Sequence, residues 1–165
     1  MGKVTLWIDN VQIEAEEGQS VLNAALDAGI YIPHICSHPD LEPQGGCKLC
    51  VVEIDGAEPV TSCTTTVAEG MHVVTKTEQL DRLRRGSMNF MFAGHPGDCE
   101  LQALFQYLNA SVNPSMRHVT KKTTKINTVN PLIDREMERC IQCGRCVRMC
   151  QEVRGVKVLD YQKKD

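Results

Sequence analysis

No apolar run in these 165 residues extends beyond a few positions, so nothing approaches the roughly 20 residues a helix needs to cross a bilayer. Residues 3–10 read as a strand and lack the charged start and apolar centre of a signal peptide, so a cytoplasmic protein is expected. Basic excess is missing as well. Lys and Arg number 18 against 21 for Asp and Glu, a net charge of −3, which leaves no field of the kind that holds a phosphate backbone, and nucleic acid is not an expected partner. There is no G-x-G-x-x-G after a strand, no G-x-x-x-x-G-K-[ST] and no nucleophile elbow, so flavin, nicotinamide and ATP sites, and catalytic residues generally, are not expected within this chain. Internal repeats and low-complexity tracts are also lacking. With 42% hydrophobic residues the chain has room for one ordinary domain or two small ones, but not for one large core.

What the sequence does have is cysteine, nine in all. In a protein with no sign of secretion, clustered thiols more often hold metal than form disulfides, and an odd number does not complete a disulfide framework. Eight of the nine fall into two groups of four, Cys36, Cys47, Cys50 and Cys63, then Cys140, Cys143, Cys146 and Cys150; Cys99 is left over.

Apolar and polar residues alternate over 4–8, break at Asp9-Asn10 and alternate again over 11–15, the pattern of a β-hairpin. Ser20 is placed to cap a short amphipathic helix containing Val21, Leu22, Ala24, Ala25 and Leu26 and ended by Gly29. A loop over 33–50 follows, then strands at 50–54, 59–63 and 72–75, with a turn at Asp55-Gly56; together these predict a mixed sheet packed on one helix. From Glu78 the period becomes helical, through Leu80, Leu83, Met88, Met91 and Phe92, and again over 102–109. Residues 111–130, rich in Thr, Ser, Lys and Asn with little periodicity, read as an extended connector. The tail from Pro131 carries the second cysteine group and a short apolar run over 156–159.

The first group has the spacing C-x10-C-x2-C-x12-C, with Gly45 and Gly46 just before Cys47. An iron–sulfur cluster needs converging thiolates and backbone N–H groups aimed at its sulfides, and glycine permits that close approach. The plainer alternative, a structural zinc site, usually shows two short knuckles, whereas only Cys47 and Cys50 form one here. With the hairpin and helix before it, the stretch resembles the plant-type 2Fe-2S ferredoxin domain, a β-grasp fold. His34 and His38 flank Cys36, but four cysteines already complete a ligand set, so both are expected to be ordinary loop residues.

The second group, C-x2-C-x2-C-x3-C, is the run of bacterial 4Fe-4S ferredoxins, with Gln151 in place of the usual proline. Gly144 eases the tight winding. Its fourth ligand is open between Cys150, Cys99 and a residue of a partner subunit, with Cys150 favoured as nearest in sequence. Arg139, Arg145, Arg148 and Arg154 surround the group, either neutralising a cluster's charge or lying on a solvated surface.

Residues 131–139 leading into Cys140, the first cysteine group, and the stretch 94–102 containing His95, Cys99 and Glu100-Leu101-Gln102 together resemble the N-terminal iron–sulfur region of the large, 75 kDa type subunit of complex I. Similar regions occur in diaphorase subunits of NAD-reducing hydrogenases, in iron-only hydrogenases and in NAD-dependent formate dehydrogenases. The resemblance covers nearly the whole chain and implies an α+β protein: a 2Fe-2S ferredoxin-like domain over 1–77, a helical segment and connector over 78–130, and a small 4Fe-4S ferredoxin-like segment over 131–165. It implies one 2Fe-2S cluster, one 4Fe-4S cluster, and a non-catalytic role relaying single electrons between a flavin- and NAD-binding partner and a further redox or catalytic subunit. One departure stands out. In the family, His-Pro-x-x-Cys continues through two more cysteines to hold an additional cluster; here Cys99 runs directly into Glu100, so His95 and Cys99 read as remnants. A stand-alone ferredoxin and a zinc-stabilised interaction module are the competing readings.

Overall fold

The alternation in the first sixteen residues builds β1 (Lys3–Ile8) and β2 (Val11–Glu16), paired antiparallel from Lys3↔Glu16 to Ile8↔Val11. Asp9 and Asn10 both take positive φ, at 49° and 68°, the primed turn whose twist matches the flanking strands. This computed structural model describes residues 2–92, 101–110 and 140–160. The hairpin is joined by β3 (Val51–Ile54), β4 (Val60–Thr61) and β5 (His72–Val74) in the order β2-β1-β5-β3-β4. The pair β1 and β5 is parallel and the others are antiparallel, so the sheet is mixed.

Against this sheet lies α1 (Val21–Asp27), whose buried Val21, Leu22, Ala24 and Ala25 meet Leu6, Ile8, Ile13, Val52 and Val73 in one core. Ser20 is extended and its hydroxyl accepts from the Asn23 N–H at 3.2 Å, satisfying one of the helix's unpaired donors. Cys50 and Cys63 belong to the same core, so half of the first cysteine group is anchored in it.

Helix α2 (Glu78–Met91) starts at Thr77, whose hydroxyl accepts from the Leu80 N–H at 3.2 Å. Its buried stripe is Leu80, Arg84, Met88 and then Phe92 just beyond its end, four residues apart. The expected apolar Leu83 is instead 44% exposed, because a stripe through Leu80 and Met88 runs through position 84. Phe92 meets Phe105 of α3 (Gln102–Tyr107) edge to face, with ring centroids 4.3 Å apart. The C-terminal portion winds into α4 (Arg145–Arg148) and then a π-helical turn, Met149–Val153. The chain forms two compact units, Met1–Arg84 with Cys143–Asp165, and Arg85–Gln142. His95, Cys99, the connector over 111–130, and residues 131–139 lie outside the described residues.

Candidate metal centres

The first cysteine group is delivered by two parts of one unit. Cys36, Cys47 and Cys50 come from the long loop before β3, and Cys63 from the turn after β4; all four are buried. Backbone hydrogen bonds set their places. The first N–H groups of α1, those of Val21 and Leu22, donate to the carbonyls of Thr65 and Ser62 at 2.9 and 3.1 Å, and the Ser62 N–H donates to Cys50 O at 2.9 Å. The helix N-terminus thus holds the Cys63 turn, and that turn holds Cys50.

Gly45 is required by the local geometry. Its φ is +63°, and a Cβ there would sit 3.0 Å from Thr61 Oγ1 and 3.4 Å from Thr64 Cγ2. Gly46 has nothing within 4 Å of its Cβ position, so of the two glycines only Gly45 is demanded by space.

The four thiols stand as two pairs. Cys36 bonds Cys47, which holds the Cys47 thiol down at about 5 and pushes Cys36 up; Cys63 bonds Cys50, which holds Cys50 at about 7 and pushes Cys63 up. Charge on Cys47 is felt at Cys50, and charge on Cys36 at Cys63, so the two pairs are neighbours. Among the described residues no three His, Cys, Asp or Glu side chains gather at a single point. Backbone N–H groups face the sulfurs: Cys47 N–H donates to Cys36 Sγ at 3.4 Å, and those of Gly45, Gly46 and Leu49 lower the pKa of Cys63, Cys36 and Cys47 respectively. The Ser62 hydroxyl is fully buried without a partner in hydrogen-bond geometry, yet near enough to Cys50 to lower its pKa. Paired thiolates, converging N–H donors and an orphaned hydroxyl suit a group carrying two metal ions and its own sulfide acceptors.

The two flanking histidines are engaged locally. His34 Nδ1 donates to Ile32 O at 2.8 Å, and His38 Nδ1 accepts from the Asp40 N–H at 3.3 Å.

In the second group Cys140 and Cys146 are exposed, Cys143 is half-buried and Cys150 is buried. Gln142 at φ 58° and Gly144 at φ 76° wind the chain tightly between Cys140 and Cys146. Beyond the π-helical turn the chain folds back: the N–H groups of Val156 and Lys157 donate to Cys150 O, and that of Leu159 donates to Cys150 Sγ at 3.5 Å. Val156 and Val158 are left 62% and 76% exposed.

Around these sites are two residues that sequence patterning did not single out as structural. Arg84, 2% exposed, donates to Leu49 O and Val51 O at 3.1 and 2.7 Å, one residue to either side of Cys50. Arg148, 3% exposed, reaches from α4 to Cys36 O and Glu42 O, while Arg145 and Arg154 are exposed. The signal for Arg84 was its place four residues from both Leu80 and Met88.

Comparison with known proteins gives family matches over both cysteine-bearing segments. Residues 2–78 match the 2Fe-2S iron–sulfur cluster binding domain, and residues 130–165 match the NADH-quinone oxidoreductase subunit 3, ferredoxin-like domain. The crystal structure of an NAD+-reducing NiFe hydrogenase in the H2-reduced state contains a chain 34% identical, with a TM-score of 0.82, over 98% of this chain and 71% of that one. The protein belongs to the family of 75 kDa type iron–sulfur subunits of NADH-quinone oxidoreductase and their hydrogenase counterparts. Within this family, an NADH-quinone oxidoreductase subunit of Rickettsia prowazekii is 36% identical over 93% of this chain and 24% of its own length. The NADH-ubiquinone oxidoreductase 75 kDa subunit of Reclinomonas americana is 32% identical over 93% and 23%. The chain thus spans about a quarter of the length of these curated relatives. It is an α+β protein with a 2Fe-2S ferredoxin-like domain and a small ferredoxin-like segment, as expected of the family. No helix among the described residues is long and apolar enough to cross a membrane.

Proposed function

We propose that the chain is a non-catalytic electron relay. Cys36, Cys47, Cys50 and Cys63 would hold a 2Fe-2S cluster. Cys140, Cys143 and Cys146 hold a 4Fe-4S cluster, with Cys150 as the fourth ligand. The domains divide at about residues 77 and 130. The observation that carries this reading is the placing of four buried cysteines on one loop and the turn it is bonded to, with the Cys47 N–H donating to Cys36 Sγ at 3.4 Å, inside the residues that match a 2Fe-2S cluster binding domain. The clusters supply one-electron transfer at little cost in reorganisation. The chain's own residues keep the thiolates buried, donate hydrogen bonds to sulfur and tie both segments to one core. The Leu159 N–H donates to Cys150 Sγ at 3.5 Å, the kind of backbone contact a cluster-ligating sulfur receives. A flavin- and NAD-binding subunit on one side and a further redox or catalytic subunit on the other complete the path, because hydride must be split into single electrons by a flavin this chain has no motif to bind.

Anaerobically purified protein should be brown and contain iron with acid-labile sulfide. Cys47→Ser should remove the rhombic EPR signal of the reduced binuclear cluster and leave the tetranuclear signal in place. A colourless protein containing zinc, or loss of the tetranuclear signal alone, would overturn the assignment.

A further inference from the structure

Arg148 lies on α4 between Cys146 and Cys150, yet its side chain is buried against the loop that carries Cys36. Its Nη1 donates to Cys36 O at 3.1 Å, its Nη2 donates to Glu42 O, and its Nε donates to Glu152 Oε1 at 3.1 Å. Glu152, four residues on, uses its other oxygen to accept from the Glu42 N–H at 3.0 Å. The ion pair therefore grips residue 42 by both its N–H and its carbonyl, across more than a hundred residues of sequence. A buried guanidinium is costly unless its donors are used, and here each of its three nitrogens donates to a separate acceptor, a planar spread that the single nitrogen of a lysine ammonium does not match. The same burial places a positive charge, paired with Glu152, in hydrogen-bond contact with the backbone carbonyl of Cys36, whereas the carboxylate bonds residue 42.

We propose that Arg148 is a positioning residue that fastens the second cysteine segment to the first cluster's loop and raises the reduction potential of the binuclear cluster. This rests on the ligand set proposed for that cluster. Reduction adds negative charge to an already anionic cluster, so a buried cation nearby favours the reduced state and a carboxylate opposes it. The two members of the pair should then act with opposite sign, which a purely structural role would not produce.

The test is an EPR-monitored redox titration of the cluster-loaded full chain. Arg148→Gln should lower the binuclear midpoint, on the order of tenfold in the reduction equilibrium or about 59 mV for one electron. Glu152→Gln, which keeps the shape and the acceptor for the Glu42 N–H, should raise it. Arg148→Lys keeps the charge but not the planar fork, so its midpoint should fall less than that of Arg148→Gln. In the same cluster-loaded protein, Arg148→Gln should speed hydrogen exchange at the Glu42 amide, read by mass spectrometry, at least about tenfold, since that bond is anchored through Glu152. Midpoints that do not move, or that move the same way in both glutamine variants, would overturn the proposal, as would unchanged protection of Glu42. Should Arg148→Gln fail to fold, the sign of the Glu152→Gln shift decides. Absence of any binuclear signal in the unaltered chain would overturn the ligand assignment itself, whereas a normal signal with unmoved midpoints overturns only the role of Arg148.

Discussion

At the scale of single residues, the first cysteine loop depends on one backbone conformation and on buried cations, among them the Arg148 that holds the Cys36 carbonyl. Gly45 sits at φ +63° with Thr61 and Thr64 against its Cβ position, and those threonines are fixed by a mutual hydroxyl bond of 2.6 Å. Gly45→Ala should therefore cost about 1–2 kcal/mol, whereas Gly46→Ala, which meets nothing, should be nearly neutral; thermal unfolding of the two variants checks the contrast. Arg84 is the second such residue. It satisfies the carbonyls on both sides of Cys50 and pairs with Asp81 at 3.5 Å, so Arg84→Ala leaves buried acceptors without donors. A loss of about 3–5 kcal/mol is expected, read from urea unfolding. The adjacent glycines were legible in the sequence, but which of them mattered was not, because that depends on threonines sixteen or more positions later.

At the scale of elements, local rules sufficed wherever the determinants are local. The hairpin register, the primed turns at Asp9-Asn10 and Asp55-Gly56, and the Ser20 cap all follow from residues within a few positions of one another. The cap also has a distant consequence, since the same helix start holds Ser62 and Thr65 and so positions Cys63. Ser20→Ala should destabilise the fold by about 1 kcal/mol and Ser20→Asp much less, with the unfolding midpoint as the measurement. The helical period beyond Glu78 was legible, but its buried face was not. Leu83 looked the better core residue than Arg84, and only the carbonyls of Leu49 and Val51, more than thirty residues earlier, make burial of the arginine favourable. The π-helical turn carrying Cys150 has no sequence signal of this kind; its conformation goes with the fold-back of residues 155–159 onto that cysteine.

At the scale of the whole molecule, the proposed relay implies that the 165-residue chain by itself has no NADH oxidation activity with artificial one-electron acceptors, and that activity appears only with a flavin-bearing partner. An anaerobic dye-reduction assay of the isolated chain checks this, and NADH-dependent reduction by the chain alone would contradict it. The two cysteine spacings, the hairpin, the capped helix and the membership of an iron–sulfur family were determined by the sequence alone, because ligand spacing, alternation and capping are short-range patterns in a linear string. Tertiary structure decided the rest: that the thiols of the first group stand in pairs, that Cys50 and Cys63 form part of the hydrophobic core, and that Arg84 and Arg148 are buried while Leu83 and Val158 are exposed. The physical reason is that a buried charge is placed by acceptors brought from distant segments. An arginine alone does not reveal which carbonyls will meet it until the chain has folded.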